Sequence, residues 1–591
     1  MPEATVSKQT VNPTDVLITA CGGINAAGRS SGYQAYRRMV FDALTPELQQ
    51  QTLDELATLT GQAQEAVLGN TLVRAWDDDS EVIRHWSPDA LPGRQRVRPN
   101  ANESELNEYS ENKLDNGINY WKDAPKRCEV RSAGQLPKGF RADNLYNCRH
   151  HPRGLQLALY AAADALGSLG MSADDLKQAL CPDDIAVYMG STAGQMDMEG
   201  FGGMIQSSLL GERNTSRQLP MGISTMPADF INAYLLGNAG STGSNNGACA
   251  SFLYNLRMGL DDIRSGRRKI VFVGNSEAPL LPAIIEGFNA MGALATEERL
   301  QKLDQTTDVD FSTASRPFAQ NVGFTMAESA QCFVLASRDT ALELGLNILG
   351  SVGDVFIHAD GHKRSISAPG IGNYITLGKA LASAKRTLGN EVLNKSAIQA
   401  HGSSTPQNRV TESDMFNRLA KEFGINQWPV TAVKAHLGHS ISAASADQLM
   451  TTLGSWQHGI LPGITTAKEI AEDVHTEHLD IPLQHKQINP DSIQLTFINS
   501  KGFGGNNATG WVLSGKQCRK IIRSAVNDDV WNKYLSKNET IRNKQQAYLI
   551  AMAKENQPLP VKDKEMPPEP DEINLTEGGM TLPGWTHRVT F

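Results

Sequence analysis

Cys249 closes the glycine-rich stretch STGSNNGACA and opens the apolar run SFLYNLRMGL. A thiol at a helix N-terminus faces unpaired N–H groups and the positive end of the helix dipole, which stabilise thiolate and lower a pKa of ~8.5 in the free residue. The small neighbours Gly247, Ala248 and Ala250 leave room for a substrate. Taken alone, the segment leaves a nucleophile and a buried structural cysteine equally open. Two histidine segments follow: AIQAHGSSTP with His401, and VTAVKAHLGHS with Lys434, His436 and His439. Both lie where a short β-branched run ends, the place where α/β sheets collect their sites. His436 and His439 are three apart, but no carboxylate or cysteine stands at ligand spacing, so no metal is expected. The last segment, FINSKGFGGNNATGWVLS, reads as strand, glycine turn holding Phe503 and Gly504, and strand. It is either a flexible hairpin or a loop that offers backbone N–H groups to a reacting carbonyl beside an aromatic that can swing. It carries neither GxGxxG nor GxxxxGK[ST], so it is not read as a nucleotide loop, and no cofactor is expected.

These residues need a frame. β-branched runs recur between helical patterns, at 15–20, 185–190, 269–274, 332–337, 355–360, 397–402, 430–435 and 495–500, which indicates α/β layers. LQLALYAAADALGSLG and SFLYNLRMGLDDIRSG have apolar residues at helical spacing and end in glycine. From about 39 to 147 the pattern weakens into the polar, breaker-rich DDDSEVIRHWSPDALPGRQRVRPNANESELNEYSENK, read as an insertion or cap. After Ser514 the chain is polar again, with one amphipathic piece at QAYLIAMA, and reads as a peripheral tail suited to packing on a partner subunit.

With 591 residues, 40% hydrophobic and 20% charged, the chain can bury a large core. No apolar stretch reaches the ~20 residues of a membrane span, and the N-terminus lacks a signal-peptide pattern. Seven cysteines without a CxxC pair fit free thiols in a reducing compartment, so a cytoplasmic location is expected. A net charge of -9 excludes nucleic acid as the main partner. Arg264, Arg267, Arg268 and Lys269 form the densest basic cluster, read as a solvated face or as a patch for an acidic partner.

In order and spacing, GACAS, SRPF, AHGSSTP, VKAHLGHS and SKGFGGNNA resemble the signatures of the β-ketoacyl-acyl-carrier-protein synthases, and VLITACGGINAAGRSS resembles that family's opening strand and turn. The glycine loop and the large insertion are most similar to the long bacterial, FabY-like branch. The resemblance implies an α/β thiolase-type fold, layered α-β-α-β-α, with two related halves at 1–345 and 346–515, the insertion at 39–147 and a tail at 516–591. It implies Cys249 as the nucleophile, His401 and His439 as the active-site histidines, and Lys434 as the lysine five residues before the second. It implies Ser403 and Thr405 on the pantetheine arm, Glu412 as a supporting carboxylate, and Phe503 with Gly504 at the oxyanion site and gate. The reaction implied is decarboxylative condensation of malonyl-acyl-carrier protein with an acyl-Cys249 thioester, in the FabY-like branch with a short primer such as acetyl-CoA. The partners implied are acyl carrier protein and, for the primer, acyl-CoA; an isologous homodimer is expected.

The sequence departs from that pattern at Lys501, where many members have phenylalanine, at Ala319, Asn321 and Val322 after SRPF, and at Asn408-Arg409 in place of glycine-aspartate. A thiolase would need a second cysteine in KGFGGNN, which has none. A Cys-His hydrolase would leave one histidine segment unexplained. A non-catalytic or decarboxylase-only partner subunit is the alternative from another class, and the presence of Cys249, His401 and His439 argues against it.

Overall fold

The computed structural model describes residues 12–76, 94–97, 110–114, 117–123, 126–207, 211–361, 370–562 and 568–591. The first half runs β1 (Val16–Asn25), α1 (Pro46–Thr60), α2 (Arg153–Leu169), β2 (Ile185–Gly190), α3 (Met226–Ile231), β3 (Thr242–Gly243), α4 (Ser251–Arg264), β4 (Ile270–Glu277) and β5 (Ser329–Ser337). The second half runs β6 (Gly350–Ala359), α5 (Gly372–Leu388), β7 (Ser396–Gln399), α6 (Pro406–Phe423), β8 (Trp428–Thr431), α7 (Ala444–His458), β9 (Leu495–Gly502) and β10 (Asn506–Ser514). β1, β2 and β4 are buried along their whole length. Strands covered on both faces read as continuous apolar runs, which is why their sequences lack a polar alternation.

Strand order is β3-β2-β4-β5-β1 in the first half and β8-β7-β9-β10-β6 in the second, the same path twice. β2 runs parallel to β4 as β7 does to β9, and the last two strands of each half are antiparallel. β1 pairs with β6 at Leu17–Ser351 and Ile18–Gly350, joining the halves edge to edge. Among the described residues this makes one sheet of twelve strands. α4 packs on β2, β4 and β5 of its own half and on β6 and β10 of the other, while α7 packs on β9 and on β5 and touches α4. These two helices form the middle of five layers; α2 and α5 cover the outer faces. The repeat puts the turn before α4 and the turn before α7 in equivalent places, and these turns carry Cys249 and His439.

The segment from 39 to 147 contains α1, capped by Thr45 and stopped at Gly61 with φ 68°. It also contains a three-stranded antiparallel sheet of Arg94–Val97, Gly117–Asp123 and Ser110–Leu114; most of its polar, breaker-rich stretch lies outside the described residues. Beyond β10 two helices follow. α8 (Gly515–Ala525) packs on β6 and β10, and α9 (Asp528–Lys554) packs on α1, α2 and the helix Arg338–Leu344 of the same chain. Tyr534, Ile541 and Met552 are buried there. Spaced seven and eleven residues apart, they make a narrow stripe on an otherwise charged helix, so the segment reads as polar.

Candidate active site

Between β3 and α4 the chain turns at Ala248, whose φ of 52° is left-handed and uncommon for a residue with a Cβ. Cys249 follows in a single 3-10 turn that runs into α4. The turn is held from several sides. Ala248 O accepts from Ser251 Oγ at 2.6 Å and from Thr192 Oγ1 at 3.1 Å, and Cys249 O accepts from Ser500 Oγ at 2.8 Å. Gly502 lies against it, since a Cβ at that position would sit 2.1 Å from Gly247 O. Backbone at 502–503 therefore runs beside the backbone at 247–249.

His401 follows β7, and its loop is fixed by Glu412 on α6. The Glu412 carboxylate accepts from His401 N at 2.7 Å and from Gly402 N, Asn408 Nδ2 and Asn499 Nδ2 at 2.8 Å each. His439 follows β8 and is held by its N–H donating to Thr325 O at 2.7 Å and its carbonyl accepting from Ala327 N at 3.0 Å. The two rings stand 5.3 Å apart at 83°. His439 Nδ1 accepts from Ile441 N at 3.2 Å and His401 Nδ1 accepts from Lys501 N at 3.4 Å. An Nδ1 that accepts carries no proton, so the N–H of each ring stands at Nε2.

Lys434 Nζ donates to His401 O from a fully buried position behind the loop. Burial pulls its ammonium down to about 8, against the opposing pull of Glu412. Burial, reinforced by Lys434, holds His439 well below the usual histidine range. The thiol corrects the expectation of a lowered pKa: burial pushes Cys249 up to about 12, outweighing the pull of Lys434. The resting site therefore holds a thiol and a neutral imidazole at His439.

Cys249, His401, His439, Ser403, Thr405 and Phe503 line one cavity of about 740 Å³. Ser403 Oγ and Thr405 Oγ1 are 2.9 Å apart, and Glu412 and Lys434 lie behind the wall, fully buried. Phe503 packs on Phe288 at 5.5 Å, Phe288 on Phe324, and Phe324 edge-on to His439 at 5.2 Å. Gly504 is exposed with φ 74°, a conformation open to glycine. His436 lies apart, bonded to Gly463 O at 2.8 Å and stacked on His485. The basic cluster is engaged within the chain: Arg264 donates to Gly353 O, Arg267 pairs with Asp262 at 2.7 Å, Arg268 donates to Asp183 O and Lys269 pairs with Asp184 at 2.9 Å.

Reasoning from sequence missed Glu277, Asn499 and Gln448. Gln448 Nε2 donates to Ala400 O and, at 3.2 Å, to Asn499 O, tying the ends of β7 and β9. Glu277 had a signal, an acid three residues past the run KIVFVG; the other two had none. Four of the unusual residues, Asn321, Asn408, Arg409 and Lys501, form a connected set. Arg409 pairs with Asp473 at 2.8 and 2.9 Å and reaches Asn321 at 3.2 Å, while Asn408 bridges Glu412 and Lys501.

Residues 101–341 match the family described as "Beta-ketoacyl synthase, N-terminal domain", and 349–468 match "Beta-ketoacyl synthase, C-terminal domain". The chain is 45% identical over 587 residues to the β-ketoacyl-[acyl-carrier-protein] synthase FabY of Pseudomonas aeruginosa, covering 90% of this chain and 91% of that one. It is 26% identical over 396 residues to 3-oxoacyl-[acyl-carrier-protein] synthase 2 of Staphylococcus aureus, covering 64% of this chain and 86% of that one. The crystal structure of the noncanonical ketosynthase FabY from P. aeruginosa superposes with a TM-score of 0.92 at 41% identity, covering 100% of this chain and 98% of that one.

Proposed function

From the premise that this chain belongs to the β-ketoacyl synthase family, we propose that the cavity around Cys249 carries out a decarboxylative Claisen condensation. The protein is a β-ketoacyl-acyl-carrier-protein synthase of fatty acid synthesis, an acyltransferase. The observation that carries the assignment of residues is the meeting of a thiol with two imidazoles whose Nδ1 atoms are both occupied by backbone N–H groups.

Cys249 attacks an acyl thioester, its sulfur replaces the carrier's sulfur on the carbonyl carbon, and its proton ends on the departing thiol. The oxyanion forms beside the backbone N–H groups of Cys249 and Phe503, which the close approach at Gly502 supports. Malonyl-acyl-carrier protein then binds with its pantetheine arm along Ser403 and Thr405. Its thioester oxygen accepts from the two Nε2–H groups, the carboxylate leaves as carbon dioxide, and the remaining enolate attacks the acyl-Cys249 carbonyl. Collapse releases 3-oxoacyl-acyl-carrier protein, and the thiolate takes up one proton. Two substrates using one cysteine in turn make the kinetics ping-pong. Lys434 and Glu412 act behind this set, fixing the His401 loop.

Resemblance to the FabY-like branch supports a short primer, acetyl-CoA among them. The edge of β3, which among the described residues has no neighbour beyond it, and exposed Leu219 and Ile223 support an isologous homodimer. Seven unpaired cysteines support the cytoplasm.

The test is mass spectrometry of carrier-protein products from wild type and Cys249→Ala, given malonyl-acyl-carrier protein with acetyl-CoA or a panel of acyl-carrier proteins. A 3-oxoacyl product from wild type alone supports the reading, and the primer consumed names the substrate. Carbon dioxide without condensation, or product independent of Cys249, overturns it.

A further inference from the structure

A second cavity, of about 310 Å³, lies under α9 and is bounded by α1, the end of α7 and the turn after β1. It shares no residue with the cavity around Cys249. Among the described residues its charged side chains are Arg29, Arg37 and Glu55. Arg37 pairs with Glu55 at 2.6 Å and donates to Gly32 O at 2.6 Å and Thr52 Oγ1 at 3.1 Å. Arg29 is only 3% exposed, yet its guanidinium, Nε included, has no hydrogen-bond or ion-pair partner among the described residues. The acid that does most to hold its charge, Asp164, accepts instead from Gly23 N at 2.9 Å, Ser31 N at 3.2 Å, Ser31 Oγ at 2.6 Å and Tyr548 Oη at 2.8 Å. His458 lines the same cavity, and its buried Nε2 is unpartnered too among the described residues. Its ring is fixed by stacking on Tyr36 at 5.6 Å and by Tyr33 edge-on at 5.9 Å, and burial, with Arg37 nearby, lowers its pKa to about 4.

Buried arginines are paired as a rule, because a charge taken out of water without partners is costly. We propose that this cavity is a second ligand site, which takes the carboxylate or phosphate group of a small molecule with Arg29 as its anchor. A guanidinium presents its N–H groups as a planar fork that matches two oxygens of such a group. The wall carries two cations against one carboxylate, so the sign of its charge favours an anion over a cation. The neutral imidazole of His458 adds a hydrogen bond without adding charge. Gln457 and Gln546 bring amides to the same wall, Gln546 from the exposed side of α9. An occupant touches α1, α7 and α9 together, and a ligand bound only by the folded chain adds its binding free energy to the fold. None of these groups lines the cavity around Cys249, so occupancy of the second site does not depend on the condensation.

The experiment is isothermal titration calorimetry of the full-length enzyme with inorganic phosphate and, separately, with acetate. We expect saturable binding of one anion per chain, weakened about tenfold or more in Arg29→Gln, the loss of a charge-assisted hydrogen bond. Saturation by phosphate alone identifies a phosphate-bearing ligand, saturation by acetate alone a carboxylate-bearing one, and saturation by both a site for either group. Gln546→Glu sets a carboxylate on the same wall and gives Arg29 a partner without removing one. It should fold whatever Arg29→Gln does, and it should abolish the binding. Binding that survives in folded Gln546→Glu would assign the anion to another surface, and no saturable binding of either anion by wild type would leave Arg29 to water; each result overturns the proposal.

Discussion

Glu277 ends β4 as a fully buried carboxylate, close enough to Cys249 to raise its thiol. Its oxygens accept from Thr192 N at 2.5 Å, Ser442 Oγ at 2.6 Å and Ser191 Oγ at 3.4 Å, so it ties the turn after β2 to the turn after His439. Burial raises its pKa to about 7 from 4.5. A raised carboxylate favours the protonated fold: the stabilisation is complete below 4.5 and is lost as pH climbs through 7. Glutamine mimics the protonated acid and meets the same partners. The melting temperature of Glu277→Gln should therefore match wild type at pH 4.5 and exceed it at pH 8, the gap corresponding to about 3 kcal/mol. A gap that does not widen with pH would show that Glu277 is already ionised in the acid fold.

At the scale of elements, the proposed oxyanion site depends on two stretches of backbone meeting. Gly502→Ala places a methyl against Gly247 O, and backbone has no rotamer by which to yield. Condensation should fall by 10² or more, the range seen on losing an oxyanion donor, while circular dichroism stays native; activity within twofold of wild type would place the oxyanion elsewhere. The turns at Cys249, His401, His439 and Phe503 were legible in the sequence because small residues and glycines interrupt β-branched runs there. β2 begins and ends where the sequence places it, at 185 and 190, and α4 begins at Ser251. α7 was not legible. Its sequence ASADQLMTTLGSWQH has no amphipathic stripe, because its first twelve residues are buried on every side. Three of its hydroxyls are satisfied within the helix, Thr451 on Asp447 O at 2.8 Å, Thr452 on Gln448 O at 2.9 Å and Ser455 on Thr451 O at 3.0 Å. A scale of hydropathy reads those groups as surface. Nor could pattern alone show that β1 and β6 meet over two residue pairs, since that contact depends on the packing of whole halves.

For the whole molecule, the C-terminal helices bind the halves to the insertion. α9 touches α1, α2 and the helix between β5 and β6, with Tyr548 Oη donating to the buried Asp164 at 2.8 Å. Ending the chain at Asn527 would expose what Tyr534, Ile541 and Met552 cover, each worth about 1.5–3 kcal/mol. We expect the apparent melting temperature to drop by roughly 5 °C or more, with the residual condensing activity of surviving enzyme close to normal because no residue of α9 lines the Cys249 cavity. A truncation that melts like wild type would show these contacts to be incidental. The middle layer carries a different consequence. The first twelve residues of α7 are enclosed by both halves and lead directly from His439, so no local fraying brings solvent to their amides. Their hydrogen exchange should proceed only through global opening, which makes the slowest-exchanging segment of the protein and the segment that aims the His439 imidazole into the Cys249 cavity one and the same.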